Sequence, residues 1–218
     1  MEKTKEVTLQ AVKKKISVLR ARLLGLMQTD PTWSAAVLAL EYAISAHEGM
    51  YRKDGVTPYI LHPVEAAMYV LTLSRSLLHP AQTVAVTLLH DCMEDCGATH
   101  KDLSDAIGLQ VADGVECMSK VVQGVKKSDE YYFGQLANSP IASIAKLADR
   151  INNQGTMNGV FTPEKQLKQV QETVDHILPL AKTARRRFPQ QELAYENGKL
   201  VLKTQISLVR AMHANLVS

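Results

Sequence analysis

At 218 residues, with a net charge of only +3 and 46% hydrophobic against 22% charged residues, the chain has room for one large domain with its own core and the composition of neither a disordered nor a fibrous protein. The small charge does not demand a nucleic-acid partner, because its basic runs, Lys13-Lys14-Lys15 and Arg185-Arg186-Arg187, each suit the solvated face of a helix. Cys92, Cys96 and Cys117 are odd in number and form no C-x-x-C pair, which indicates neither a disulfide framework nor a zinc knuckle. No long apolar stretch suggests a signal peptide or a membrane span. These features fit a soluble, cytoplasmic protein.

Residues 9–28 place Val12, Ile16, Leu19, Leu23 and Leu26 or Met27 at helical spacing, which predicts an amphipathic helix. Asp30-Pro31 reads as the cap and first position of a second helix, running to Ala46 or His47. A loop from Arg52 to Pro58 follows. Pro63 then opens a helix to about Leu73, and Pro80 opens one that continues through His90 and beyond. Thr99 and Asp102 suggest a capped start to a short helix ended by Gly108, followed by a helix over 109–121. Pro140 introduces an apolar-periodic segment to Ile151. Thr162-Pro163-Glu164 caps a long helix that Pro179 should kink or break, and Leu200 to Leu216 is again helical in spacing. No alternating run bounded by hairpin turns and no internal repeat stands out, so the expected fold class is all-α.

The chemistry concentrates in VAVTLLHDCMED, residues 84–95, where an apolar helical stretch ends abruptly in His90, Asp91, Glu94 and Asp95. On one continuous helix these side chains crowd a single side, where like charges repel by about a few tenths of a kcal/mol per pair. A bound cation removes that cost; a helix simply leaving the core with a solvated acidic end is the plainer alternative. PYILHP at 58–63, with His62 at a helix start, and KLADR at 146–150, with Asp149 near a helix end, add to the metal reading.

The segments RKDGVTPYILHP, LLHDCMED and KLADRINN, in this order, resemble the HD-type hydrolase domain of the RelA/SpoT family, which degrades the alarmone ppGpp. The resemblance runs from about Ala35 to Leu180 and includes ETVDHILPLA. It implies a helical HD-type domain over 31–187, with an N-terminal amphipathic helix over 1–30 and a C-terminal helical extension over 188–218. With no synthetase after it, the chain resembles a small alarmone hydrolase. The implied reaction removes the 3′-pyrophosphate of ppGpp or pppGpp, giving GDP or GTP and pyrophosphate.

Residue by residue, the resemblance makes His62, His90, Asp91 and Asp149 the ligands of one manganese ion. Two imidazoles and two carboxylates suit that ion, and iron or zinc suits the same cage. Glu94 and Asp95 match the family's acidic pair, which positions or activates water; holding ligand histidines or waters is the alternative role. Arg52 and Lys53 match a basic pair facing the nucleotide, and Asn153 and Thr156 match positions lining the nucleoside pocket. Tyr51, Tyr59 and His47 are nearby candidates for the same pocket, with a packed aromatic or an exposed histidine as the plainer reading of each.

Asn152 and Gly155 stand where the family pattern has histidine and arginine, and the loop between Arg52 and His62 is one residue longer. These departures bear on substrate preference rather than on hydrolysis. Two other readings remain: a phosphohydrolase for another nucleotide, such as an adenosine analogue or a nucleoside monophosphate, and a nucleotide-binding regulator without turnover. The terminal helices either complete the core or form a homodimer, and neither nucleic acid nor membrane is an expected partner.

Overall fold

The computed structural model describes residues 2–214; Met1 and residues 215–218, with Leu216 of the expected last helix, lie outside the described residues. α1 (Glu2–Thr29) lays Val12, Leu19 and Leu23 into the core, the stripe its apolar spacing predicts. Asp30 ends it and accepts the Thr32 amide at 3.0 Å, starting a 3-10 turn at Pro31 that leads into α2 (Ser34–Ala46). α3 (Leu61–Thr72) begins two residues before Pro63, so His62 lies inside its first turn.

α4 (Pro80–Leu89) is the central helix, buried on nearly every side and packed by α2, α3 and, later in the chain, the helices Leu109–Met118 and Ala142–Thr156. Its two internal threonines are tolerated there because the Thr83 and Thr87 hydroxyls each donate to the carbonyl four residues back, both at 2.7 Å. The expected continuous helix through Asp95 is instead broken at His90 and Asp91. A separate turn, α5 (Cys92–Asp95), follows.

α6 (His100–Ala106) starts with the expected Thr99/Asp102 capping box, and Gly108, at φ +129°, separates it from α7 (Leu109–Met118). α7 crosses α4 so closely at Gly114 that an added Cβ would lie 2.5 Å from Val86 Cγ2. The absence of hairpins expected from the sequence is corrected here: β1 (Val121–Val122) pairs antiparallel with β2 (Val125–Lys126) around Gln123-Gly124, both at positive φ. α8 (Asp129–Ala137), capped by Ser128, was likewise not anticipated.

α9 (Ala142–Thr156) packs against α3 and α4 and outruns the expected segment by five residues. α10 (Pro163–Glu172) and α11 (Leu178–Arg187) are joined by a π turn at 173–177, the form the Pro179 disruption takes. α12 (Glu192–Met212) starts well before Leu200 and crosses α9, with Tyr195 fully buried and its hydroxyl 2.8 Å from Ser143 Oγ. Val12, Leu19 and Leu23 of α1 and Ala194, Tyr195 and Leu202 of α12 belong to the same apolar cluster as the core residues of α4 and α9. Burying each large aliphatic side chain in it contributes about 1.5–3 kcal/mol. Among the described residues, no helix is long and apolar enough to cross a membrane.

Candidate metal centre

Three helices meet at one point. The first turn of α3 supplies His62, the end of α4 supplies His90 and Asp91, and the polar face of α9 supplies Asp149. His62 Nε2 lies 3.1 Å from His90 Nε2, 3.2 Å from Asp149 Oδ1 and 3.7 Å from Asp91 Oδ2. His90 Nε2 lies 3.1 Å from Asp91 Oδ2 and 3.5 Å from Asp149 Oδ1. Asp149 and both histidines are buried.

The other ring nitrogens fix what these atoms are. His62 Nδ1 donates to Asn152 Oδ1 at 2.6 Å, and His90 Nδ1 to the Thr87 carbonyl at 2.8 Å. Because both acceptors are oxygens, each Nδ1 carries a hydrogen, which leaves Nε2 of each ring as the atom turned inward to bind an ion. Two nitrogen lone pairs and two carboxylates then converge in a largely buried space. That arrangement is unfavourable unless a positive charge sits in it, so the donor set fits a divalent cation.

The electrostatics agree. Burial opposes charge on His90, but Asp91 and Asp149 outweigh it and push the imidazole well above its usual range, so protons compete with metal here. Burial likewise opposes ionisation of Asp149, yet Lys146 and the two histidines hold its carboxyl well below the carboxylate range. Lys146 Nζ bonds Asp149 Oδ2 at 2.9 Å, and Asn153 Nδ2 donates to Oδ1 at 2.5 Å.

A cleft of about 570 Å³ opens from this cluster, lined among others by Arg52, Lys53, Asp95, Asn153, Thr156 and Phe161. Asp54 pins the loop that carries the basic pair, accepting the amides of Val56 and Thr57 at 2.8 Å each. Arg52 Nη2 reaches Asn153 Oδ1 and Thr156 Oγ1, both at 3.3 Å, which brings three of the four expected substrate residues together. Its guanidinium lies 5.5 Å from the Tyr59 ring centre. Lys53 lies over Phe161 at 4.9 Å, and Lys165, not singled out in the sequence, lies over the same ring at 4.0 Å.

The acidic pair separates. Asp95 faces the cleft, 3.2 Å from the Tyr59 hydroxyl, which donates at 2.7 Å to Asp91 Oδ2. Burial and these carboxylates push the Tyr59 phenol up, so it stays a donor. Glu94 instead takes the backbone amides of Lys120 and Val121, with the latter at 3.0 Å, and does not line the cleft. The crowding of all the acids on one helix face is therefore corrected by the break at His90–Asp91. His47 is also corrected: only 2% exposed, it stacks on Tyr59 with ring centres 5.0 Å apart.

The HD domain family matches residues 39–183. A Vibrio cholerae protein named guanosine-3′,5′-bis(diphosphate) 3′-pyrophosphohydrolase is 33% identical over 161 residues, 70% of this chain and 22% of its own length. A Mycobacterium leprae protein named probable GTP pyrophosphokinase is 35% identical over 149 residues, 66% of this chain and 18% of its own. The chain thus spans between 18% and 22% of the length of these two curated relatives. A solved structure described as a metazoan ortholog of SpoT that hydrolyses ppGpp matches with a TM-score of 0.55 at 20% identity, covering 82% of this chain and 94% of that one, a likeness of fold. Since the matched span contains every helix that supplies His62, His90, Asp91 and Asp149, the chain belongs to the HD domain family.

Proposed function

We propose that the protein is a manganese-dependent 3′-pyrophosphohydrolase of ppGpp and pppGpp, with His62, His90, Asp91 and Asp149 holding the ion. The observation that carries this reading is a set of cations in the cleft that opens from the histidine and aspartate cluster: Arg52 and Lys53 line it together with His62, and Lys165 lies over the Phe161 ring in its wall. A nucleotide with a pyrophosphate at each end needs two separate sources of positive charge, and an ion in the cluster and these basic side chains supply them. The names of the curated relatives and the ordered motifs support the guanosine alarmone as that nucleotide.

A divalent ion in the cluster supplies electrophilic help to the phosphoryl group and eases deprotonation of water. Asp95 orients the attacking water and takes its proton, held in place by Tyr59. Water oxygen bonds to the phosphorus next to the ribose, the bond from that phosphorus to the 3′-oxygen breaks, and this oxygen regains a proton as pyrophosphate leaves. Arg52, fixed by Asn153 and Thr156, positions the nucleotide, and Lys53 with Lys165 neutralises its 5′-phosphates. Glu94 enters the reaction only after releasing the amides of Lys120 and Val121. In this reading 31–187 is the hydrolase domain, with α1 and the segment from 188 packed on it as extensions.

A panel of nucleotides incubated with manganese, with products resolved by chromatography, tests the proposal. GDP and pyrophosphate from ppGpp, with GDP itself left intact, is the expected result. Intact ppGpp, or phosphate released from GDP as readily as pyrophosphate from ppGpp, overturns it in favour of another phosphorylated nucleotide or of binding without turnover.

A further inference from the structure

Beside the histidine and aspartate cluster, on the far side of Tyr59, lies a second set of donor atoms that the reaction above does not use. His47 follows the last turn of α2, Cys92 opens α5, and Cys96 follows it. One ligand atom from each lies within 4.8 Å of the others. Met50 adds a thioether sulfur 4.0 Å from Cys96 Sγ. The absence of a C-x-x-C pair hides this group in the sequence, because the four-residue spacing of Cys92 and Cys96 joins them only across a helical turn.

His47 gives the group its direction. Its Nδ1 donates to the Ala43 carbonyl at 2.9 Å, so the hydrogen is on Nδ1 and the Nε2 lone pair is free. Tyr59, stacked at 9° between planes, locks the ring. Burial holds the imidazole below its usual range, which keeps it neutral. Yet Nε2, in a residue only 2% exposed, has no hydrogen-bond partner among the described residues. A buried acceptor held rigidly and left unsatisfied, with two sulfurs close by, is the arrangement a metal ligand has before its ion arrives.

We propose that His47, Cys92 and Cys96 form a second metal site, for a thiophilic divalent cation of the zinc type, distinct from the manganese cage. The ligand set of one imidazole and two thiolates selects such an ion over manganese or magnesium, which prefer oxygen. Charge balance selects a divalent ion: two S–H bonds give way to two S–metal bonds, two protons leave to solvent, and the thiolates neutralise the ion. A monovalent ion would leave a net negative charge next to Asp91 and Asp95. Tetrahedral donors about 2.0–2.3 Å from zinc lie roughly 3.3–3.8 Å apart, so the three atoms need only a modest contraction. The ion would tie the end of α2 to the turn that carries Asp91 and Asp95.

Sulfur separates this site from the other, which has none. Cobalt(II) added to the manganese-loaded full chain should produce the intense thiolate-to-cobalt charge-transfer absorption, which one equivalent of zinc(II) should then bleach. Asp149→Ala, which dismantles the other cage, should keep the absorption; Cys96→Ser should lose it. Cys92 is fully buried and its replacement endangers folding, so half-buried Cys96 is the informative position, with circular dichroism confirming the helices. Alkylation gives a second readout: zinc(II) should slow modification of Cys96 at least tenfold. No charge-transfer absorption in the wild-type chain, or full absorption in Cys96→Ser, overturns the proposal whatever the nucleotide assay shows.

Discussion

The imidazole of His62 is steered by Asn152, whose side-chain oxygen accepts its Nδ1 hydrogen at 2.6 Å while the Asn152 amide donates to Glu65 at 3.0 Å. Glu65 in turn pairs with Lys15 of α1, so a chain of polar contacts runs from the N-terminal helix to the histidine and aspartate cluster. Asn152→Ala frees the ring to rotate and removes the acceptor that makes Nε2 basic. We expect metal affinity to fall by about 10–100-fold, the usual effect of losing an orienting partner. Calorimetric titration with manganese checks this, and unchanged affinity would show that packing alone holds His62. Lys15, whose side chain is half-exposed, should matter far less.

Glu94 and Asp95 are neighbours with different surroundings, and their variants should differ accordingly. Asp95→Asn should keep the metal and lower turnover by at least about a hundredfold, the scale of lost acid–base or water-positioning help. Glu94→Ala strips the acceptor from the Lys120 and Val121 amides and should destabilise the fold by about 1–2 kcal/mol. Glu94→Gln retains an acceptor oxygen and should preserve stability, so any loss of turnover in it reports chemistry alone. Steady-state kinetics, metal content and urea melts on the three proteins separate these roles. A hundredfold loss in Glu94→Gln with none in Asp95→Asn would reverse the assignment.

Much of the site was legible because its motifs are local. His62 beside Pro63, His90-Asp91 at the end of an apolar run and Asp149 in an amphipathic stretch each carry their own signal, and α4 and α9 follow from apolar periodicity. What was hidden depends on partners distant in sequence. The break at His90–Asp91 lies in a run whose spacing reads as one continuous helix, and Glu94 finds its amides 26 and 27 residues away. Asn152 looked like a change in the substrate pocket, and only the meeting of α3 and α9 shows it gripping His62. The hairpin at Val121–Lys126 was missed because each of its strands is two residues long, too short for alternation to register.

Lys53 gives the site a pH signature. The Lys165 ammonium beside it, then burial and Arg52, lower its pKa from the ordinary lysine range. Its cationic form, which polyphosphate binding needs in this reading, is therefore lost as pH rises through that lowered pKa, earlier than for an ordinary lysine. Removing the neighbouring charge in Lys165→Gln raises the Lys53 pKa and should move this loss to higher pH, while weakening binding about tenfold near pH 7, a change of about 1.4 kcal/mol. Binding of ppGpp to the chelator-treated protein, followed from roughly pH 7 to 10.5, measures both effects. Coincident pH profiles for the two proteins would remove Lys53 from the phosphate-binding wall.

Asp149 serves two partners, and its variants can separate them. It belongs to the cluster through Oδ1, and through Oδ2 it is the counter-ion of Lys146, whose side chain is only 16% exposed. Burial disfavours the Lys146 charge, but Asp149 outweighs it and raises the ammonium's pKa. The contribution of Lys146 to stability is thus complete below the unfolded lysine pKa and lost as pH rises through the folded one. For Asp149, whose pKa is depressed, the contribution is complete above about pH 4 and lost as pH falls toward the folded value. Asp149→Ala therefore does two things at neutral pH: it abolishes metal binding and strands a buried cation, at a cost of about 3–5 kcal/mol. Asp149→Ala/Lys146→Met removes both charges and should recover most of that stability without recovering metal. Manganese at a hundred times its Kd should raise wild-type stability by about 2.7 kcal/mol and leave both variants unmoved. In the wild type, chelation should abolish turnover and manganese should restore it better than magnesium, which disfavours nitrogen ligands. Thermal melts with and without manganese test the whole scheme. If the single variant is as stable as the double, Lys146 does not depend on Asp149; if either variant is stabilised by manganese, the ion is held elsewhere.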